Sequence, residues 1–506
     1  MRTKKATINI ITGLISLIIG TVIGFISSGQ FARHLGVEIS GLNNVLINLV
    51  SILSVTELGI AGAINYNLYK PVLEKDYLAI SQIMTFYKKC YFIIGITILS
   101  ISLAISGFVH HLIANTSLSP QYIQVSFLIC AAATIISYFL GYYRNLLYAF
   151  QETYICSIVD MVLRIVSASA QILTLILFQD YLLFLIITLL GNLLSNVIIT
   201  LISKKKHPEI RTNIKEKNKE THRKIFNDVK SLAAIQIGSV LINFTDSLII
   251  SKGIGVIVAG MYAYYATLIT MLTNIINVIF SNLGASLGNL LAEDNRDSIK
   301  KVFHVLITSS FLLGLLIASG LGNAIEPFIC LWVGSEYVLD YSIVFVLAVN
   351  FYIMVQRQPI TYFLRTGGHH KRMILPLAIE AFINLVVSIV LVNQIGLVGV
   401  FIGTMVSAIF GWIWNAFTLC KTYGVHFGRY LGKQGLFLLA FLGQFLVSQY
   451  VIRHLSIQAT PFLQFIYSGL LAVAIPLIIC ILFLIFSQDM QIFRGVIHKF
   501  KQKFAH

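Results

Sequence analysis

Runs of roughly 20 apolar residues, each long enough to cross a bilayer at about 1.5 Å per residue, recur from Ile8 almost to the end of this chain. Only short polar breaks separate them. Backbone amides in hydrocarbon have no water to bond to, so such runs must be helices that satisfy their own hydrogen bonds. With 57% hydrophobic and 11% charged residues among 506, the apolar surface exceeds what one water-soluble core can bury. The fold class that follows is all-α: a polytopic membrane protein of about fourteen helices.

The expected helices lie at 8–32, 41–68, 84–112, 121–148, 155–178, 181–203, 231–251, 258–287, 302–329, 339–363, 374–393, 397–420, 435–453 and 462–487. Several exceed 25 residues, which implies tilt or extension beyond the lipid. The basic N-terminus before the first run imitates a signal peptide, but the run continues to Phe31 and many more follow, so it is read as a first span. The six cysteines are scattered without CxxC or metal-ligand spacing and read as reduced packing residues.

Charge sets the orientation. With the N-terminus in the cytoplasm, 31 of the 36 lysines and arginines fall on the inner side. Only Arg33, Lys252 and Arg453 fall outside, and Arg164 and Arg357 lie within spans. The net charge of +16 is then a topology signal, helped by anionic inner-leaflet lipid, rather than a nucleic-acid signal. Both termini are placed in the cytoplasm and the protein in the cell membrane. The stretch 204–230 reads as a basic cytoplasmic linker, and 488–506 as an amphipathic helix on the inner leaflet or an extension of the last span.

An internal repeat divides the rest. Leu35-Gly36-Val37 through Gly41-Leu42 matches Ile254-Gly255-Val256 through Gly260-Met261, Tyr142-Tyr143-Arg144 matches Tyr362 through Arg365, and Asp160 matches Glu380, each about 220 residues apart. Two six-helix lobes, 1–203 and 231–420, follow, with two further helices at 421–487. An even number of helices per copy makes the repeat parallel, which puts the expected site between the lobes.

The residues at this point resemble a known family. Gly36 with Gly41-Leu42, Ile52-Leu53-Ser54, Glu57-Leu58-Gly59-Ile60, Leu68-Tyr69-Lys70-Pro71, and Thr245-Asp246 with Ile249-Ile250-Ser251 and Gly260-x-Tyr262 are similar to the Wzx-type polysaccharide flippases. Their superfamily also holds the multidrug and toxin extrusion exporters and the lipid II flippases. The resemblance implies an undecaprenyl-diphosphate-linked oligosaccharide as cargo, turned from inner to outer leaflet by alternating access for cell-surface polysaccharide such as capsule or exopolysaccharide. It implies membrane lipid as the other partner and leaves Na⁺ or H⁺ as an open question; a monomer is the expectation.

Ionisable groups inside spans cost about 2.5–3.5 kcal/mol on insertion scales and so face a cavity or a partner. The candidates are Glu57, Asp160, Arg164, Asp246, Arg357 and Glu380, with Arg144 and Arg365 near helix ends. The guanidinium is a fork that fits phosphate oxygens, so Arg164, Arg357, Arg144 and Arg365 are candidate diphosphate ligands. Arg144 and Arg365 also fit as snorkelling residues, and Arg164 also fits as an i,i+4 partner of Asp160. Glu57, Asp246, Asp160 and Glu380 are candidates for lining a cavity or coupling a cation. Tyr262, Tyr264 and Tyr265 suit either sugar stacking or ordinary packing.

No GxxxxGK[ST] or HExxH sequence is present, and the one GxSxG match, Gly284 to Gly288, falls at the end of an expected apolar span rather than on a strand-to-helix turn, so nucleotide hydrolysis and bond cleavage are not expected, nor is any cofactor or metal. Membrane potential offers a drive instead, since an anion moving outward gains about 2.3 kcal/mol per charge per 100 mV. A cation-coupled multidrug exporter and a lipid II flippase are the competing readings.

Overall fold

The computed structural model describes residues 2–54, 60–214, 245–293, 295–454 and 460–486. Every extended element among them is a helix, and twelve stretches are long and apolar enough to cross a membrane. The chain divides into two compact units, Met1–Gly260 and Met261–His506.

The first unit begins with α1 (Arg2–Leu53), a single run of 52 residues where the sequence suggests two helices. Both readings meet at Gly36, whose φ of 77° and ψ of −179° bend the run into two arms. Only glycine takes this conformation without a Cβ clash. Its repeat mate Gly255, with φ 143°, makes the corresponding break before a later helix. The unit continues with α2 (Ile60–Glu74), α3 (Tyr77–Ser106), α4 (Pro120–Leu140), α5 (Tyr142–Ala149), α6 (Thr153–Phe178) and α7 (Tyr181–Lys206).

Local chemistry places these ends. Asp76 caps α3 through Ala79 N at 2.9 Å, and Asp180 caps α7 through Leu183 N at 3.0 Å. Ser119 caps α4, with Pro120 already at the φ that a first helical turn needs. Gln179 turns left-handed (φ 50°) between α6 and α7, so these two helices form a tight antiparallel hairpin.

The repeat-matched segments cross within this unit. A Cβ on Gly41 would overlap the Val256 carbonyl, and one on Gly260 would overlap the Val37 carbonyl. The α3–α4 loop ties the same two segments together. Ala114 N donates to Ser251 O (3.2 Å), Val256 N to Ala114 O (3.1 Å) and Asn115 Nδ2 to Ile254 O (2.8 Å). The Glu38 carboxylate accepts from Thr116 Oγ1 (2.8 Å), Ser117 N (2.6 Å) and Ser117 Oγ (2.7 Å).

The second unit takes in most of α8 (Val256–Asn282), then α9 (Gly284–Ala292), α10 (Arg296–Trp332), α11 (Tyr341–Thr366), α12 (His370–Ile395), α13 (Leu397–Tyr423), α14 (Phe427–His454) and α15 (Pro461–Phe486). Gly396, at φ 65°, closes α12 against α13 as Gln179 closes α6 against α7. The pairings repeat as well: α4 packs on α7 and α6 on α7, while α11 packs on α13 and α12 on α13. An aromatic seam joins α14 to the unit, with Phe437 stacked on Phe311 at 4.0 Å and Phe441 on Tyr352 at 4.2 Å. Tyr262 lies against Phe401, Tyr264 meets Trp332 and Tyr337 edge-on, and the buried Tyr265 hydroxyl accepts from Leu339 N at 3.0 Å.

Candidate functional site

The first unit encloses a cavity of about 1240 Å³ between α1, α3, α4, α5, α6 and α7. This exceeds the roughly 300–1,000 Å³ of an ordinary small-molecule pocket. Its charged lining consists of Arg144, Asp160 and Arg164, two guanidinium groups to one carboxylate. The remaining walls mix hydroxyls, amides and tyrosines, among them Ser137, Asn145, Tyr148, Gln171 and Asn192, with apolar side chains such as Ile23, Ile47, Val50, Leu163 and Phe184.

Asp160 is held by neighbours on two other helices. Arg144 grips it as a fork, Nη1 to Oδ2 at 2.6 Å and Nη2 to Oδ1 at 2.8 Å. Ser195 Oγ donates to Asp160 Oδ1 at 2.6 Å and accepts from Arg144 Nη2 at 2.7 Å, while Arg144 Nε donates to Asn196 Oδ1 at 3.0 Å. The Asp160 side chain nevertheless stays 41% exposed.

The i,i+4 pairing of Asp160 with Arg164 that the sequence allows is therefore not the one formed. Arg164 makes no hydrogen bond or ion pair among the described residues. Its guanidinium lies across Gly20 of α1, at a point a Cβ would occupy. On α6 it sits about 16 Å from the first residue, close to the middle of the helix. The result is one arginine clasped to Asp160 and one that only feels its charge from a distance, both lining the same cavity.

The other predicted residues lie elsewhere. Arg357 of α11 and Glu380 of α12 form a second fork, Nη1 to Oε1 at 2.6 Å and Nη2 to Oε2 at 2.8 Å. Here the carboxylate side chain is only 4% exposed, and a Cβ on Gly411 of α13 would overlap it. Arg365 is exposed near the C-terminal end of α11. Asp246 is buried in the helical stretch 245–253, next to Ser247, which accepts from Asn44 Nδ2 at 3.1 Å. Glu57 lies outside the described residues, as do the linker beyond residue 214 and the tail helix at 488–506.

Sequence reasoning missed the neutral walls: Gln171 on α6 and Thr188, Asn192, Ser195 and Asn196 on α7. The signal was present as helical spacing, since Asp160, Arg164, Ser167 and Gln171 recur every three or four residues on one face. Thr188, Asn192 and Ser195 do the same on α7.

Solved structures share this architecture. The lipid II flippase MurJ in an inward closed conformation is similar at a TM-score of 0.67 and 14% identity, covering 94% of this chain and 99% of its own. An inward-facing multidrug resistance MATE family transporter of the MOP superfamily is similar at 0.65 and 14%, covering 82% and 98%. A MOP superfamily transporter from Pyrococcus furiosus follows at 0.51 and 16%, covering 81% and 95%. The chain thus shares its fold with solved multi-pass membrane transporters and a flippase. The model of the polysaccharide biosynthesis protein family matches residues 6–283, and the chain belongs to that family. Among curated proteins, none matches the chain by sequence.

Proposed function

We propose that the protein turns an undecaprenyl-diphosphate-linked oligosaccharide from the inner to the outer leaflet of the cell membrane, by alternating access, for cell-surface polysaccharide synthesis. The reading rests on Arg164. A permanently charged fork that lines the cavity with no hydrogen bond or close ion pair among the described residues is a standing site for an anion. Two cations to one anion in the lining favour a phosphate headgroup and oppose the cationic drugs that a multidrug exporter carries. Membership of a polysaccharide biosynthesis family agrees with a polysaccharide precursor as cargo.

In this reading both termini are cytoplasmic, as the basic residues suggest, so α6 starts at the inner face and Arg164 waits near mid-membrane. The lobes are 1–203 and 231–420, and the protein works as a monomer. Arg144 becomes a second phosphate ligand when Asp160 lets go of it. Outward transfer of about two negative charges gains roughly 4–5 kcal/mol per 100 mV, inside negative. No ion need then accompany the cargo; Na⁺ or H⁺ acting on Asp160 would serve to reset the empty carrier.

The test is flipping of a fluorescent undecaprenyl-diphosphate glycan in proteoliposomes. Arg164→Gln should slow it at least tenfold, Arg164→Lys less so, and collapse of the potential should slow the native protein. Native rates in well-folded variants of both kinds would remove Arg164 from the mechanism. A lipid II flippase is the second reading, favoured by the similarity to MurJ. Lipid II shares the headgroup chemistry, so the same assay run with both lipids separates the two.

A further inference from the structure

The cavity also carries acceptors that a phosphate cannot use. Gln171 spends its amide donor on Thr188 Oγ1 at 2.8 Å and on Phe184 O at 3.5 Å. Asn192 spends its own on Ala133 O at 3.4 Å. That fixes both amides with Nδ2 or Nε2 inward to protein. Gln171 Oε1 and Asn192 Oδ1 then receive no hydrogen bond among the described residues, though both side chains line the cavity. Phosphate oxygens only accept, so they match Arg164 and repel these two carbonyls. A ligand that completes the wall must bring O–H or N–H donors next to an anionic group. Ammonium donors are disfavoured by the excess positive charge, which leaves neutral donors, and a sugar beside a diphosphate supplies these chiefly as hydroxyls.

The placement is orderly. Asp160, Arg164, Ser167 and Gln171 form one face of α6 over about 16 Å. Asn192 comes from the partner helix of the α6–α7 hairpin. Anion-binding and hydroxyl-binding groups are therefore successive points on one polar track, flanked by the small residues Gly20, Gly24 and Ser27 of α1.

We infer that Gln171 and Asn192 read the hydroxyls of the sugar next to the diphosphate, which makes them specificity residues for a glycosylated over a bare polyprenyl diphosphate. This rests on the function proposed above and adds where the glycan lies. Recognition is of hydroxyls rather than of one sugar, so any pyranose serves as a probe.

The experiment measures the affinity of the full-length protein in nanodiscs for undecaprenyl diphosphate and for undecaprenyl-diphospho-N-acetylglucosamine. The native protein should favour the glycosylated lipid by about tenfold, a difference of about 1.4 kcal/mol. Gln171→Met and Asn192→Leu should each shrink that ratio, and Arg164→Gln should lower both affinities while keeping it. A native ratio near one, or a ratio that both wall variants leave intact, overturns the inference alone. Failure of the native protein to bind either lipid overturns the function as well. The native ratio is decisive even if a variant does not fold.

Discussion

The two units each hold a carboxylate clasped by an arginine fork, and the two forks live in opposite surroundings. Asp160 and Glu380 occupy matching places on the first helix of matching hairpins, and their bond lengths are the same, 2.6 and 2.8 Å. Yet Asp160 is 41% exposed into a large cavity, whereas Glu380 is 4% exposed and pressed against Gly411. A buried pair is sensitive to loss of one partner, because the survivor is left charged without water. A pair open to a polar chamber can exchange its partner for solvent or ligand. The proposed function therefore expects the same device to act as a strut in the second unit and as a movable part in the first.

The strut gives the largest expected effect. Glu380→Gln leaves Arg357 without its counter-charge and should cost about 3–5 kcal/mol, read as a lowered Tm and yield in detergent. Changing both residues to methionine should recover most of that loss. A Glu380→Gln protein as stable as the native one would mean that the buried fork holds nothing together.

Asp160→Asn should act on binding instead. With its counter-charge gone, Arg144 joins Arg164 in facing the cavity, and affinity for undecaprenyl diphosphate should rise roughly tenfold, about 1.4 kcal/mol. Turnover should fall, since tighter binding slows release. Equal stability losses from Asp160→Asn and Glu380→Gln, with no change in affinity, would erase the distinction between the two forks.

The asymmetry was only half legible in the sequence. Charge-free runs set the helices, and α6 and α7 begin and end within three residues of the expected bounds. Two breaks were legible too, because Gly36 and Gly255 mark bends that few other residues can make. What stayed hidden was partner choice. Local spacing offers Asp160 to Arg164, but Arg144 and Ser195 come from helices whose approach is decided by packing. The amide and hydroxyl lining escaped notice for another reason: neutral polar residues barely disturb an apolar window, so Gln171 and Asn192 pass as ordinary span residues.

The Glu38 clasp tests whether the looseness of the first unit extends beyond the cavity. Its carboxylate takes three hydrogen bonds from the α3–α4 loop, which also holds residues 251–256. Solvent reaches this place, so Glu38→Gln should cost only about 1 kcal/mol of stability. Flipping should slow with little change in binding if the clasp times a rearrangement. Unchanged flipping would confine its role to holding the loop.

The smallest expected change is the pH dependence at Glu152, a buried carboxylate just before α6 and outside the spans. It accepts from Lys5 at 2.8 Å and lies 3.1 Å from both Lys206 and His207, with Phe150 stacked on the histidine ring. Burial alone would raise its pKa, but the hydrogen bonds from His207, Lys5 and Lys206 win and hold it at about 2, below the usual 4.5. A depressed carboxylate contributes stability that is complete above its unfolded pKa and lost as pH falls through its folded one. Lowering the pH from 7 to 5 should therefore leave this tie intact, and the stability gap between native protein and Glu152→Gln should not narrow over that range. A gap that closes before pH 5 would mean that the cluster does not hold Glu152 ionised, and that the N-terminus is not anchored to the end of α7 through it.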